Sequence, residues 1–327
     1  MPRENPIFCS AAAFWDSHPG PRRDRMPSMR SILVLCLAAV TLLGTTSCLR
    51  TSTVVRVKKD GTGSIISRYY FSPETLAMID QLGQLGDALG QLGGAGGGPG
   101  AAGGPDLGLI RDLAKPDEES LKADAAGYGE GVRYAKHEPG KDEDGWEGYT
   151  VVYDFDDIRK VRIDQNSVPG KAKDFVASAG EELKNDEGGA LSFTLDGDLL
   201  TVKSTFAKDG MDGFVDQQQL DQAKAMGMAP SEAMKMAAGM TQGMRVGYFL
   251  RAEDGIAETN ADHVTGDLII LSDADIGKVL IDPDLGAFID KAAADPKAVT
   301  PDAAKEMMQK LEAMTVESKE EITVKLK

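Results

Sequence analysis

Apolar residues recur at every second position in some stretches of the chain and at every third or fourth in others. Tyr149, Val151, Tyr153 and Phe155 alternate with Thr150, Val152 and Asp154, the period of a strand with one buried face. Asp-Gly pairs favour tight hairpin turns, and one sits within Ala190–Phe206. A two-residue loop at Asp196-Gly197 predicts pairing of Leu195 with Asp198, Phe193 with Leu200, and Leu191 with Val202. Val54–Lys59 and Ser64–Phe71 flank Lys58–Gly63 and predict a first hairpin whose register stays open. Further strands are expected near Gly131–Lys136, Met244–Ala252 and Asp267–Leu271. At the end of the chain Ile322, Val324 and Leu326 alternate with Thr323, Lys325 and Lys327, which predicts an edge strand guarded by lysine.

Helices show first in their capping residues. Ser72-Pro73-Glu74, Asp282-Pro283 and Thr300-Pro301-Asp302 each put a capping side chain before a proline at the first helical position. The second predicted helix gathers Leu285, Phe288, Ile289 and Ala292 on one face, and the third Ala304, Met307, Met308, Leu311 and Met314. Met78–Leu92 also has helical spacing, weakened by Gly83, Gly86 and Gly90. It runs into Gly93–Gly104, a glycine-rich stretch expected to be a flexible loop. Strands and helices in this order predict an α+β fold, with an antiparallel hairpin-rich sheet and helices packed on one side.

The N-terminus carries an address. Arg30 precedes an apolar run from Ile32 to Leu43, then small residues 44–47 and Cys48. The run is too short to cross a bilayer core of roughly 30 Å as a helix, but it suits a signal peptide. Small residues before a cysteine resemble a bacterial lipobox, although Thr45 stands where leucine is usual and Leu43 lies two places earlier. Residues 26–47 therefore read as a lipoprotein signal peptide and Cys48 as the lipidated residue, with ordinary cleaved export or a retained anchor as alternatives. Residues 1–25 read as a mis-assigned start or a long n-region, leaving Met1, Met26 and Met29 as possible first residues. The ectodomain, residues 48–327, is expected to be a single α+β domain containing the glycine-rich loop 93–104.

Charge and cysteine content narrow the function. The 327 residues carry a formal net charge of −16, which repels phosphate backbones and excludes nucleic acid as a partner. Arg50, Arg56, Lys58, Lys59 and Arg68 oppose only Asp60 within residues 48–68. This is a basic collar that an anionic leaflet would attract. Solvated strand residues would give the same pattern. The three cysteines form neither a disulfide framework nor a zinc motif. Gly98–Gly103 fits GxGxxG but follows no predicted strand, and no GxxxxGK[ST], GxSxG or HExxH occurs. Beside His263 stand Glu258 and Asp262, and Glu138–Glu147 is acidic. Neither has the spacing of a ligand set, so no metal, no cofactor and no catalytic residue is expected.

The least random feature is methionine. Seven of the fourteen, Met211, Met226, Met228, Met234, Met236, Met240 and Met244, lie within 34 residues. Thioether side chains adapt to apolar partners, so Met234, Met236 and Met240 are candidate ligand contacts, although ordinary core packing is the simpler account. Trp146 lies between Gly145 and Gly148, in a turn where its ring packs on a neighbour or covers a pocket mouth.

Three stretches together resemble a group of bacterial lipoproteins with an LppM-like ectodomain. They are the hairpin Val54–Ile65, the strand Gly145–Phe155 entering Asp156-Asp157, and the turn Gly255–Gly266 followed by Asp267–Leu271. The resemblance implies an α+β ectodomain, no catalytic residues, and binding of a lipid or glycolipid. The expected protein is thus a non-enzymatic extracytoplasmic lipoprotein, held to a cell or outer membrane by its lipid anchor. Its ectodomain binds an apolar or amphiphilic molecule, or alternatively serves as a structural or docking lipoprotein for an envelope protein.

Overall fold

The computed structural model describes residues 49–77, 80–81, 114–164, 190–204, 227–295 and 300–327, all within a unit spanning Gly44–Lys327. The signal segment 26–47, Cys48, most of Met78–Leu92 and the glycine-rich stretch 93–104 lie outside the described residues.

The architecture is α+β. The first hairpin joins β1 (Leu49–Val57) to β2 (Gly63–Phe71) with Val57 opposite Gly63, and β2 pairs with β4 (Glu147–Phe155). The strand β3 (Arg133–Lys141) lies outside β4. On the other side β1 runs parallel to β8 (Arg245–Ala252), which pairs with β11 (Leu268–Asp275). Two short strands, β10 (Val264–Thr265) and β12 (Met314–Val316), complete this eight-stranded sheet along β11. A second sheet of five strands runs β5 (Arg162–Asp164), β6 (Ala190–Asp196), β7 (Leu199–Ser204), β13 (Glu321–Leu326), β9 (Ile256–Thr259).

The expectation of one antiparallel sheet with helices on one side is therefore corrected. There are two sheets, and the large one contains a parallel pair. The period-two patterns show that each strand has a buried face but not which partner covers it. One hydrophobic cluster draws on both sheets, with Val55, Ile65, Tyr153, Leu250 and Ile269 from the large one and Leu191, Leu200, Val202, Ile322 and Val324 from the small. The terminal strand is corrected too. β13 is hydrogen-bonded to β7 on one side and β9 on the other, so it is interior to its sheet.

The Ala190–Ser204 hairpin forms with a shifted turn. Gly197 takes φ +61 and the two-residue loop is Gly197-Asp198, so Leu195 faces Leu200 and Phe193 faces Val202. Each partner moves by two residues, which preserves the faces. Thus Leu191, Phe193, Leu200 and Val202 are all buried, as alternation requires.

The predicted helix starts appear with their caps. Ser72 Oγ accepts from Thr75 N at 3.3 Å as residues 73–77 turn helical. The helix α1 (Glu118–Asp124) is capped by Asp117, and α2 (Pro230–Met240) follows the second sheet's central hairpin in the chain. Next come α3 (Ile276–Leu280), α4 (Pro283–Ala294) and α5 (Pro301–Lys310), capped by Asp275, Asp282 and Thr300. Their apolar faces form a second cluster in which Val279, Leu285, Ile289, Met307, Met308 and Leu311 are buried. The start of α2 is tied to α4 by Asp290, which accepts from Ser231 N at 3.0 Å and from its hydroxyl at 2.7 Å. No described helix is long and apolar enough to cross a membrane.

Candidate functional site

A cleft of about 500 Å³ opens beside the β3–β4 edge of the large sheet. Its floor is Tyr149, which alternation turns to the buried face of β4, with Pro139 opposite it on β3. Leu76, Ala114 and Pro116 form an apolar wall, and Lys115, His137, Lys141 and Glu147 carry the polar atoms. Lys141 and Glu147 pair across the strands at 2.5 Å. A concave site of this size with a few polar groups on an apolar lining is the usual form of a small-molecule site.

Tyrosines continue inward from the floor. Tyr149 packs on Tyr69 with centroids 5.2 Å apart, and Tyr128 packs on Tyr153 at 5.0 Å. Tyr134 meets Tyr153 edge-on at 6.3 Å, and its hydroxyl lies 2.7 Å from His137 Nδ1. The Tyr128 hydroxyl is 3.2 Å from Ser67 Oγ. Burial pushes the phenols of Tyr69, Tyr128, Tyr149 and Tyr153 upward, so they stay protonated at neutral pH. Of the four, Tyr149 lines the cleft, where its protonated phenol can donate a hydrogen bond. No sequence motif marked this cluster. Its signal lay in the tyrosines at positions 69, 149 and 153, each on the buried face of its strand.

Trp146 lies just beyond the cleft, in the turn between β3 and β4. Asp142 shapes that turn, its Oδ1 accepting from Asp144 N at 3.0 Å and Trp146 N at 2.8 Å. The Arg50 guanidinium stacks 3.9 Å from the Trp146 ring centre and bonds Asp142 at 2.7 Å and Asp144 at 2.5 Å. Gly243 lies against the other part of the ring, where an added Cβ would come within 3.1 Å. The indole therefore clamps the start of β1 to the chain before β8.

The candidate methionines Met234 and Met236 lie on α2. Met234 is half-buried against the helical cluster, while Met236 is 65% exposed, contrary to a contact inside a groove. The α2 helix turns these positions to different sides. The side chain of Met240, like Met211 and Met226, lies outside the described residues. The basic collar is altered by tertiary partners, since Arg56 pairs with Glu253 and Lys59 reaches Asp198 at 4.0 Å. His263 lies where β10 begins, its carbonyl accepting from Ile270 N at 2.9 Å, and Asp262 is engaged by Lys319 and Ser318. Among the described residues no three His, Cys, Asp or Glu side chains are placed to hold a metal ion.

No protein-family model matches the chain, and no curated protein matches it. Among solved structures it is similar to the folded domain of the Mycobacterium tuberculosis LppM protein, solved by NMR. That similarity has 13% identity and a TM-score of 0.26, over 69% of this chain and 82% of the other. A likeness at that score assigns no family and carries no argument about function.

Proposed function

We propose that this protein is an extracytoplasmic lipoprotein, acylated at Cys48, whose non-enzymatic ectodomain binds an apolar or amphiphilic molecule. The observation that carries the binding half is the cleft of about 500 Å³ over Tyr149, apolar on its floor and wall and polar at Lys115, His137 and Lys141. An acyl or alkyl body fits the former and a hydroxyl-rich or anionic head the latter. The anchor half rests on the signal-like segment 26–47 and its closing cysteine. A lipid or glycolipid unites these features.

The test uses the full chain in phosphatidylcholine nanodiscs, with laurate and octyl glucoside as probes below their micelle thresholds. Either probe is expected to raise the unfolding temperature, and Pro139→Trp, which places an indole opposite Tyr149, is expected to abolish the rise. Absence of a response to both probes, or a response unchanged in Pro139→Trp, overturns the binding reading. Mass spectrometry of the chain from membranes is expected to show acyl groups on Cys48, and an unmodified Cys48 overturns the anchor.

A further inference from the structure

The face of the large sheet opposite Tyr149 carries a pattern the strand registers bring together. Val152, Ile66, Val54, Phe249 and Ile270 are successive neighbours across β4, β2, β1, β8 and β11. At the spacing between strands this apolar stripe is about 19 Å long. All five side chains are half-buried. Two positions along the strands on one side, about 7 Å away, Arg56 stands opposite Arg251. On the other side, Arg68 occupies the equivalent position on β2. A groove of about 260 Å³ runs between these arginines over Val54, Ile66 and Phe249, with Leu268 at its end and no carboxylate in its lining.

Two facts make the arginines more than a solvated surface. Like charges directly opposite on neighbouring strands repel, yet Arg56 and Arg251 are register partners. Their Nε atoms are also buried and without a hydrogen bond. Glu253 pairs with the far end of Arg56, and Asp267 lies 3.5 Å from Arg251 Nε without bonding it. Glu253 and Asp267 offset part of this charge from the far side, and an anion on the outward guanidinium nitrogens would offset the remaining repulsion across the groove. Arg68 is exposed and has no ion-pair or hydrogen-bond partner among the described residues.

We infer that this groove is a binding site for a phosphate ester with an apolar substituent, its phosphate held by Arg56 and Arg251 and its chain lying along Val54 and Phe249 toward Arg68. Guanidinium forks match phosphate oxygens in pairs. Free phosphate would leave the stripe uncovered, and an uncharged alkyl group would leave the facing guanidinium groups without a counter-charge. The site lies on the opposite face of the sheet from the cleft, so it does not rest on the cleft reading.

Calorimetric titration of the full chain in phosphatidylcholine nanodiscs with n-hexyl phosphate, inorganic phosphate and hexanol tests it. Hexyl phosphate is expected to bind about tenfold more tightly than inorganic phosphate, because burying about two methylenes contributes that much, and hexanol is expected not to bind. Equal binding of the two phosphates, or any comparable binding of hexanol, overturns the proposal. The double variant Arg56→Gln/Arg251→Gln is expected to lose binding. Should that variant fail to fold, the single variant Arg56→Gln, at a partly exposed position, is expected to weaken hexyl phosphate about tenfold through loss of one charge-assisted contact. Unchanged affinity in Arg56→Gln together with unchanged or unmeasurable affinity in the double variant overturns it. Pro139→Trp is expected to leave hexyl phosphate affinity unchanged, and loss of binding there would place the ligand in the cleft and overturn the outer-face site.

Discussion

Replacing Arg50 by alanine removes the clamp at the start of β1. Burial works against the Arg50 charge, but hydrogen bonds to Asp144 and Asp142 outweigh it and push its pKa up. The two carboxylates are not equivalent. Asp144 is 64% exposed, so its pair contributes at most about 1 kcal/mol. Asp142 is only 17% exposed, and stranding it costs about 1–2 kcal/mol. The stacking on Trp146 adds about 0.5–1 kcal/mol at a half-exposed site. These effects share one side chain and overlap, so the expected loss is about 2 kcal/mol, or roughly 3 °C in Tm for a chain of this size. Urea unfolding followed by far-UV circular dichroism reads it. Arg50→Lys keeps the charge but not the planar stack and is expected to recover about half. A loss below about 0.5 kcal/mol, or an equal loss in Asp144→Ala, would refute the reasoning that Asp142 and Trp146 carry the clamp.

Two further outcomes follow from the same structure. Ile322→Ala, at a fully buried position of β13 between β7 and β9, is expected to cost about 2–5 kcal/mol in denaturant unfolding, whereas an edge strand would lose much less. Burial opposes ionisation of Asp275, but hydrogen bonds from Lys278 outweigh it and lower its pKa below the ordinary 3.8. Its charge therefore stabilises α3 fully above that value and the contribution fades as pH falls through the lowered one. Asp275→Asn keeps a capping side chain and is expected to cost about 0.5–1 kcal/mol at pH 7, with the difference from the parent disappearing in acid unfolding curves as pH falls through the lowered value.

Much of the local structure was legible because its causes are local. The caps at Ser72, Asp282 and Thr300 sit where the chain predicts them, since a side-chain oxygen and a proline act over one helical turn. The buried faces of β4, β6 and β7 follow alternation alone. The hairpin at Gly197 shows where this stops. Residue types specified a tight turn and the faces, while one residue of turn position depended on which residue adopted positive φ.

The candidate site was less legible. Trp146 was expected in a turn against a neighbour, and its partners Arg50 and Gly243 are about a hundred residues away on either side. Sequence proximity to Ala-rich helix also said nothing about which side of α2 faces the protein, and Met236 lies on the exposed one. The arginine groove was hidden for the same reason. Arg56 and Arg68 belonged to a basic collar in the sequence, and only Arg251 arriving on β8 makes a site of them.

The sequence by itself determined the strands, their buried faces and the capped helix starts, because these depend on neighbours within a few residues. Tertiary structure decided that the strands divide between two sheets, that β1 and β8 run parallel, and that β13 is interior. It also set the tyrosine-floored cleft and the arginine-flanked stripe on opposite faces of one sheet. Those outcomes rest on contacts between distant segments, where many pairings satisfy the same alternation and the shared core selects among them.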